Sequence, residues 1–198
     1  DHGAADAAQR FKMFQYFRSS GEVGEPWQGG EVYTSPDGIH WGGPTRTSLL
    51  KHNTGFFYNP FREKWVYSVR RSVDGVRTRW YREHSDFLQG SQWDDDEPVI
   101  WAWSDVLDEP DPQIGEVPQL YDLNAVAYES IMLGLIAIFR GPPNPVAAEK
   151  GVPKTNDLML GFSRDGFHWD RPTREPFIPA TRTQGTWDKG YIHAAGGT

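Results

Sequence analysis

The residues best suited to chemistry in this chain are carboxylates, imidazoles, phenols and guanidinium groups, because it has no cysteine. Thiolate catalysis, disulfides and cysteine-based zinc sites are therefore excluded. Glu129 lies between Tyr128 and Ser130-Ile131, directly before the apolar run Ile131–Phe139. Partial desolvation by such neighbours raises a carboxyl's pKa and suits a general acid, whereas a strand-end carboxylate paired to an arginine is the structural alternative. His52, Asn53, Tyr191 and His193 could hydrogen-bond hydroxyl groups or stack on sugar faces; a loop-capping asparagine and core histidines would look the same in sequence. Arg70, Arg71, Arg77, Arg79 and Arg82 crowd one predicted hairpin, with Arg71 a candidate ligand contact. The guanidinium fork matches a carboxylate such as that of a sialic or uronic acid. With Asp74, Glu83 and Asp86 nearby, solvated ion pairs are the other reading. Along the strand Arg77 and Arg79 share a face and Arg82 points to the opposite one.

Metal and cofactor signals are weak. No His-x-His or His-Glu-x-x-His spacing occurs, so zinc is unsupported. The acidic stretch 105–116 lacks the Asp-x-Asp-x-Asp-Gly pattern, which leaves structural calcium unsupported and a solvated loop expected. No P-loop, dinucleotide fingerprint or Ser-His-Asp constellation is recognisable, and no cofactor is expected. The net charge of −7 argues against a large nucleic-acid face but leaves room for a local basic pocket. Mean hydropathy is −0.65. No apolar run approaches the ~18 residues of a membrane helix. The chain begins at Asp1 without a charged-then-apolar leader, and reads as a mature protein or a piece of a longer one.

The elements that must position these residues come from a repeat. Ser35-Pro36-Asp37-Gly38-Ile39-His40-Trp41 recurs as Ser163-Arg164-Asp165-Gly166-Phe167-His168-Trp169, with a degenerate copy from Ser85-Asp86-Phe87 to Trp93 and Pro98. Strand-like runs precede each copy: Glu31–Thr34, Arg77–Arg82 and Leu158–Phe162, and further upstream Phe11–Arg18, Lys64–Arg71 and Ile131–Arg140. The Asp-Gly turn is a structural device: Asp and Ser oxygens accept nearby backbone N–H groups, and Gly takes a positive φ. His40 and His168 are read with it as scaffold. Asp74-Gly75 predicts a tight hairpin, with Trp65, Tyr67 and Val69 on one strand face and Val66, Ser68 and Arg70 on the other. Two proline-rich stretches, Ser104–Gln119 and Gly141–Lys154, are read as irregular surface loops. With 21 glycines, 15 prolines and nine tryptophans, the chain reads as all-β. The expectation is a single propeller-type unit, residues 1–198, of four-stranded antiparallel blades: about three, with the start of a fourth at Trp187–Thr198, forming part of a five-bladed β-propeller.

These turns, together with Phe57-Tyr58-Asn59-Pro60 before Lys64-Trp65-Val66, resemble the five-bladed propeller glycosidases of glycoside hydrolase families 32 and 43. The chain is more similar still to uncharacterised bacterial family-32/43-like proteins, at Tyr128-Glu129-Ser130, Gly161–Pro172 and Gly190-Tyr191-Ile192-His193. The resemblance implies three carboxylates reaching into a funnel from the innermost strands: a base or nucleophile, an orienting group and a general acid. The acid maps onto Glu129. The second-blade Asp maps onto His52-Asn53-Thr54, where Asn53 replaces it, and the first-blade position falls near Asp1, with Asp6 as second choice. Asp122 and Asp188 are the substitutes for an orienting carboxylate. The implied activity is hydrolysis of an extracellular or periplasmic oligosaccharide or polysaccharide, without nucleic acid or membrane as partner. A non-catalytic carbohydrate-binding propeller and a protein-interaction propeller are the alternatives.

Overall fold

In the computed structural model, residues 4, 6–18 and 28–194 are described. They are mostly β and form three antiparallel sheets in chain order. The first sheet joins β1 (Phe11–Arg18), β2 (Gln28–Ser35) and β3 (Thr45–Arg46). The second joins β4 (Gly55–Asn59), β5 (Lys64–Val73), β6 (Val76–His84) and β7 (Val99–Ala102). The third joins β8 (Gln119–Tyr128), β9 (Ile131–Gly141) and β10 (Thr155–Ser163). Two short helices, α1 (Phe87–Gly90) and α2 (Asn144–Lys150), lie between strands. No helix among the described residues is long and apolar enough to cross a membrane.

Aligned on the repeat, β1, β5 and β9 are equivalent, as are β2, β6 and β10, while β4 and β8 occupy the same leading position. Among the described residues, only the middle sheet has the four strands expected of each unit. The described part of the first sheet begins at the second strand position. In the third sheet the last strand is reduced to bridges, Phe162 with Asp170 and Leu158 with Ile178. Segment 187–194 carries parallel bridges from Lys189 to Thr181 and from Tyr191 to Asn156 rather than a continuous strand, and residues 195–198 lie outside the described set.

The middle sheet is buried on both faces, and strict alternation along β5 divides its side chains between two cores. Trp65, Tyr67 and Val69 pack with Val32, Leu50, Phe87 and Trp93 toward the first sheet. Val66 faces the opposite way and joins Phe57, Tyr81 and Trp101 against Leu123, Met132 and Ile136 of the third sheet. The hairpin between β5 and β6 closes as expected, with Asp74 and Gly75 both at positive φ between paired Val73 and Val76.

The two Asp-Gly turns have the same internal wiring. Ser35 Oγ accepts from Gly38 N at 2.9 Å, Asp37 Oδ1 accepts from Ile39 N and His40 N at 2.8 Å, and Asp37 Oδ2 lies 2.7 Å from His40 Nδ1. Ser163, Asp165, Gly166, Phe167 and His168 repeat the set within 0.1 Å. Both histidines thus serve the scaffold. The second turn also docks on the middle sheet: Asn59 Nδ2 donates to Asp165 O at 2.7 Å, and Trp101 Nε1 to Phe167 O at 2.6 Å. In the degenerate copy Asp86 instead caps α1 by accepting from Gln89 N at 2.8 Å, since Phe87-Leu88 offers no glycine for a positive-φ turn.

Both proline-rich stretches hold more structure than expected. Gly141–Lys154 contains α2, ended by Gly151 at φ 62°. Three of the five acids of 105–116 are paired with arginines rather than simply solvated. Asp108 Oδ1 lies 2.7 Å from Arg171 Nη1, Asp105 lies 3.3 and 3.0 Å from Arg171 and Arg174, and Asp111 pairs with Arg182. Among the described residues no group of three or more His, Asp or Glu is disposed to hold a metal ion.

Candidate functional site

Three segments distant in sequence meet beside the leading ends of β4 and β8. The first is the turn Lys51–Thr54, in which Asn53 adopts φ 63°, a left-handed conformation that asparagine tolerates. Thr54 N and Oγ1 donate to Lys51 O, and Arg70 N donates to Thr54 Oγ1 at 3.1 Å. Arg79 Nη1 donates to the Asn53 carbonyl. This turn presents His52 at the surface.

The second segment is the start of β8. The register to β9 shifts between Leu120 and Asp122, leaving Tyr121 as the extra residue of a bulge. Bulges re-aim side chains next to functional sites. Here the Tyr121 hydroxyl lies 3.3 Å from His52 Nε2, and its ring lies 5.2 Å from His193 and 5.9 Å from Tyr191.

The third segment is 190–194, held by two asparagines. Asn156 exchanges backbone bonds with Gly190 and Ile192, and its Nδ2 donates to Ile192 O at 2.5 Å. Asn124 Nδ2 donates to Ala194 O at 2.9 Å. Gly190 is required at φ 78°, where an added Cβ would stand 2.6 Å from the Lys154 carbonyl. Tyr191 and His193, with ring centres 4.8 Å apart, are thereby set against Tyr121.

Arginines of the middle sheet surround this aromatic group. Arg79 is completely buried, and its Nη2 lies 3.4 Å from Asp122 Oδ1. Asp122 also accepts from Leu123 N at 2.9 Å and Asn124 Nδ2 at 2.8 Å. Burial pushes the Asp122 carboxyl above its ordinary value, against the pull of Arg79, and lowers Arg79 to about 10. Arg70 Nη1 lies 3.0 Å from His52 Nδ1 and 3.2 Å from its Nε2. Arg77 stacks between Phe139 and Tyr121 at 4.9 and 5.3 Å, and Lys154 Nζ lies 5.2 Å from the Tyr191 ring centre.

Burial and these cations together set the ionisation of the imidazoles. Desolvation, then Arg70, Arg77, Arg79 and Lys154, lower His52 to about 4; desolvation, Arg79 and Lys154 lower His193. Both are neutral at pH 7 and able to accept a hydrogen bond. Because the folded pKa of His52 lies below its unfolded value of about 6.5, its contribution to stability is full above pH 6.5. That contribution is lost as pH falls through about 4. In an NMR titration the His52 ring protons should shift with a midpoint near 4, and Arg70→Gln should move that midpoint upward. A midpoint near 6.5 in the parent chain would contradict the arrangement.

Of the residues expected from sequence, His52, Asn53, Asp122, Tyr191 and His193 come together here. Asn53 contributes its carbonyl, while its Nδ2 is buried without a partner. Glu129 does not join them. It is an exposed residue at φ 50° in the two-residue turn closing β8 and β9, so Tyr128, itself 58% exposed, does not desolvate it. At ~3.3 Å per residue it lies roughly 20 Å along β8 from Asp122. The 5–9.5 Å range of paired glycosidase carboxyls is about half of that or less. Arg71 is paired with Thr78 on the face toward the first sheet, where it stacks on Trp80 at 4.7 Å and reaches Asp95. Asp188 holds a loop by accepting from Thr181 N and Oγ1. Asp6 caps the turn Ala7–Gln9, accepting from Ala8 N at 2.9 Å, and Asp1 lies outside the described residues.

Residue type alone did not single out Tyr16, Tyr121 and Lys154. Tyr16 lies 6.0 Å from His52 through ring centres. The available signal was Tyr121's position beside Asp122 and Lys154's before a strand.

Elsewhere, a concavity of about 330 Å³ lies between the middle and third sheets; Trp101, Trp103, Trp169, Arg171 and Arg174 are among its lining. No protein-family model matches the chain, and no curated protein matches it significantly.

Proposed function

We propose that the chain is a saccharide-recognition unit built from consecutive β-propeller blades, with its ligand at the meeting of the 51–54 turn, the β8 bulge and segment 190–194. The blade reading is supported by three antiparallel sheets in chain order, the equivalence of β4 and β8, and the repeated turns. The saccharide reading is carried by one observation: two neutral imidazoles and two phenols, from three separate segments, converge at the leading end of those strands. Rings of this kind stack on the apolar faces of sugars, and hydroxyl and imidazole groups bond their hydroxyls.

Hydrolysis of the same ligand is the second reading, and the raised carboxyl of Asp122 favours it. It requires a second carboxyl across the scissile bond. Among the described residues, the ion pairs and hydrogen bonds of this cluster include one carboxylate, that of Asp122. Recognition therefore asks less of the site than turnover does.

Calorimetric titration against a panel of oligosaccharides, run beside a product-release assay, tests both readings. Saturable binding without release is the expected result. Tyr191→Ala should weaken binding about tenfold, ~1.4 kcal/mol. Glu129→Gln should leave it unchanged. Release of product would establish the hydrolase instead, and no saturable binding by any glycan would sink the proposal.

A further inference from the structure

The molecule carries 27 acidic against 20 basic residues, and its buried arginines are generally matched to carboxylates. Arg171 has Asp108, Arg140 has Asp157 at 3.3 Å, Arg79 has Asp122, and the half-exposed Arg62 has Glu83 at 2.6 Å. Arg70, Arg77 and Lys154 break this pattern. Among the described residues, none of the three lies within 4.0 Å of a carboxylate, and all three border the same aromatic group.

Each holds back donor capacity. Arg70 is 8% exposed, meets the imidazole of His52 through Nη1, and leaves Nε buried without a partner. Arg77 gives Nη1 to Gln119 Oε1 at 2.6 Å, and its Nε is likewise buried and unpartnered. Lys154 touches the Tyr191 ring face with its ammonium. Removing cations from water without a counter-charge is costly, and a ligand anion that enters supplies the missing compensation.

We infer that the saccharide bound here is acidic, carrying a carboxylate or sulfate that Arg70, Arg77 and Lys154 receive. This rests on the saccharide reading above and names the charge of its ligand. The planar fork of an arginine takes two oxygens of such a group at once, and the lysine adds a compact charge. Burial is the main cause of the lowered pKa of His52, and the charges of Arg70, Arg77, Arg79 and Lys154 add to it in the same direction. The neutral His52 ring lets a bound anion sit beside Arg70 without competition from a fixed acid.

The test compares one backbone in two charge states: oligogalacturonate and its methyl ester, titrated into the full chain, with a sulfated oligosaccharide and inorganic sulfate as further arms. The acidic or sulfated glycan should bind at least tenfold tighter than the ester, with the advantage shrinking as salt rises. Lys154→Gln, which alters a part-exposed side chain in contact with a ring face, should bring the acid-to-ester affinity ratio most of the way to one while leaving the thermal midpoint in place. Arg77→Gln should act in the same direction. Equal affinity for acid and ester would overturn the inference while leaving saccharide recognition standing. Inorganic sulfate binding as tightly as the glycans would overturn it in favour of a free-anion site. Absence of binding in every arm would remove both readings.

Discussion

Asp122→Ala should lower the free energy of unfolding by about 3–5 kcal/mol, the usual cost of stripping one partner from a buried ion pair. Arg79 has no solvent exposure, and its Nε and Nη2 make no hydrogen bond. Its Nη1 is held by the carbonyls of Asn53 and Ser68, so among the described residues Asp122, 3.4 Å away, is the carboxylate that answers its charge. Burial acts against both members: it lowers Arg79 to about 10 and raises Asp122. A carboxyl whose folded pKa is raised contributes stability below its unfolded value of about 3.9, and that is lost as pH rises through the folded one. The pair is therefore poor as a source of stability and expensive to break. Replacing both residues, as Arg79→Met with Asp122→Leu, should recover most of the loss. Urea denaturation of the two single variants and the double variant measures this; a single-variant cost below about 1 kcal/mol would contradict it.

Phe57→Ala should cost a similar 3–5 kcal/mol, for a different reason. Phe57 is 1% exposed and fills the core where the middle sheet meets the third, among Val66, Tyr81, Leu123 and Met132. Removing its ring loses the transfer energy of the buried atoms and leaves a cavity that two packed sheets cannot close. In a chain of this size the change corresponds to a fall in thermal midpoint of ~10 °C. Leu107→Ala, at a position 58% exposed, should stay within about 0.5 kcal/mol. Scanning calorimetry separates the two cases, and a small shift for Phe57→Ala would mean that the sheets do not pack there.

The strands that could be read from the sequence were those with uninterrupted β-formers. β1 and β9 begin at the expected residues, and β5, β6 and β10 run a few residues longer than expected. β8 was not legible. Asp122 and Asn124 interrupt its apolar pattern, and their bond to each other, Arg79 supplied from β6, and the Ala194 carbonyl make them tolerable inside a strand. Missing β8 also misplaced Glu129. Seen as the residue before an apolar strand it looked like an entrance to a site; seen as the turn between two paired strands it is at the far end. The arginine cluster was half legible. Alternation correctly put Arg77 and Arg79 on one face and Arg82 on the other, where Arg82 meets Glu97 at 3.2 Å. Cross-strand pairing, which places Arg70 beside Arg79 and Arg71 beside Thr78, needed the register.

That same register limits how the gene can change length. β5 and β6 send alternate side chains to two different cores, and the site's arginines share the face that packs on the third sheet. One codon inserted or deleted inside either strand would exchange the two faces, driving Arg70 or Arg77 among Tyr67 and Trp93 and turning apolar rings toward the candidate site. Substitutions can explore this hairpin one position at a time; insertions and deletions cannot. Length variation in natural or engineered descendants should therefore collect in 103–118 and 142–154, leaving the spacing from residue 64 to residue 84 untouched.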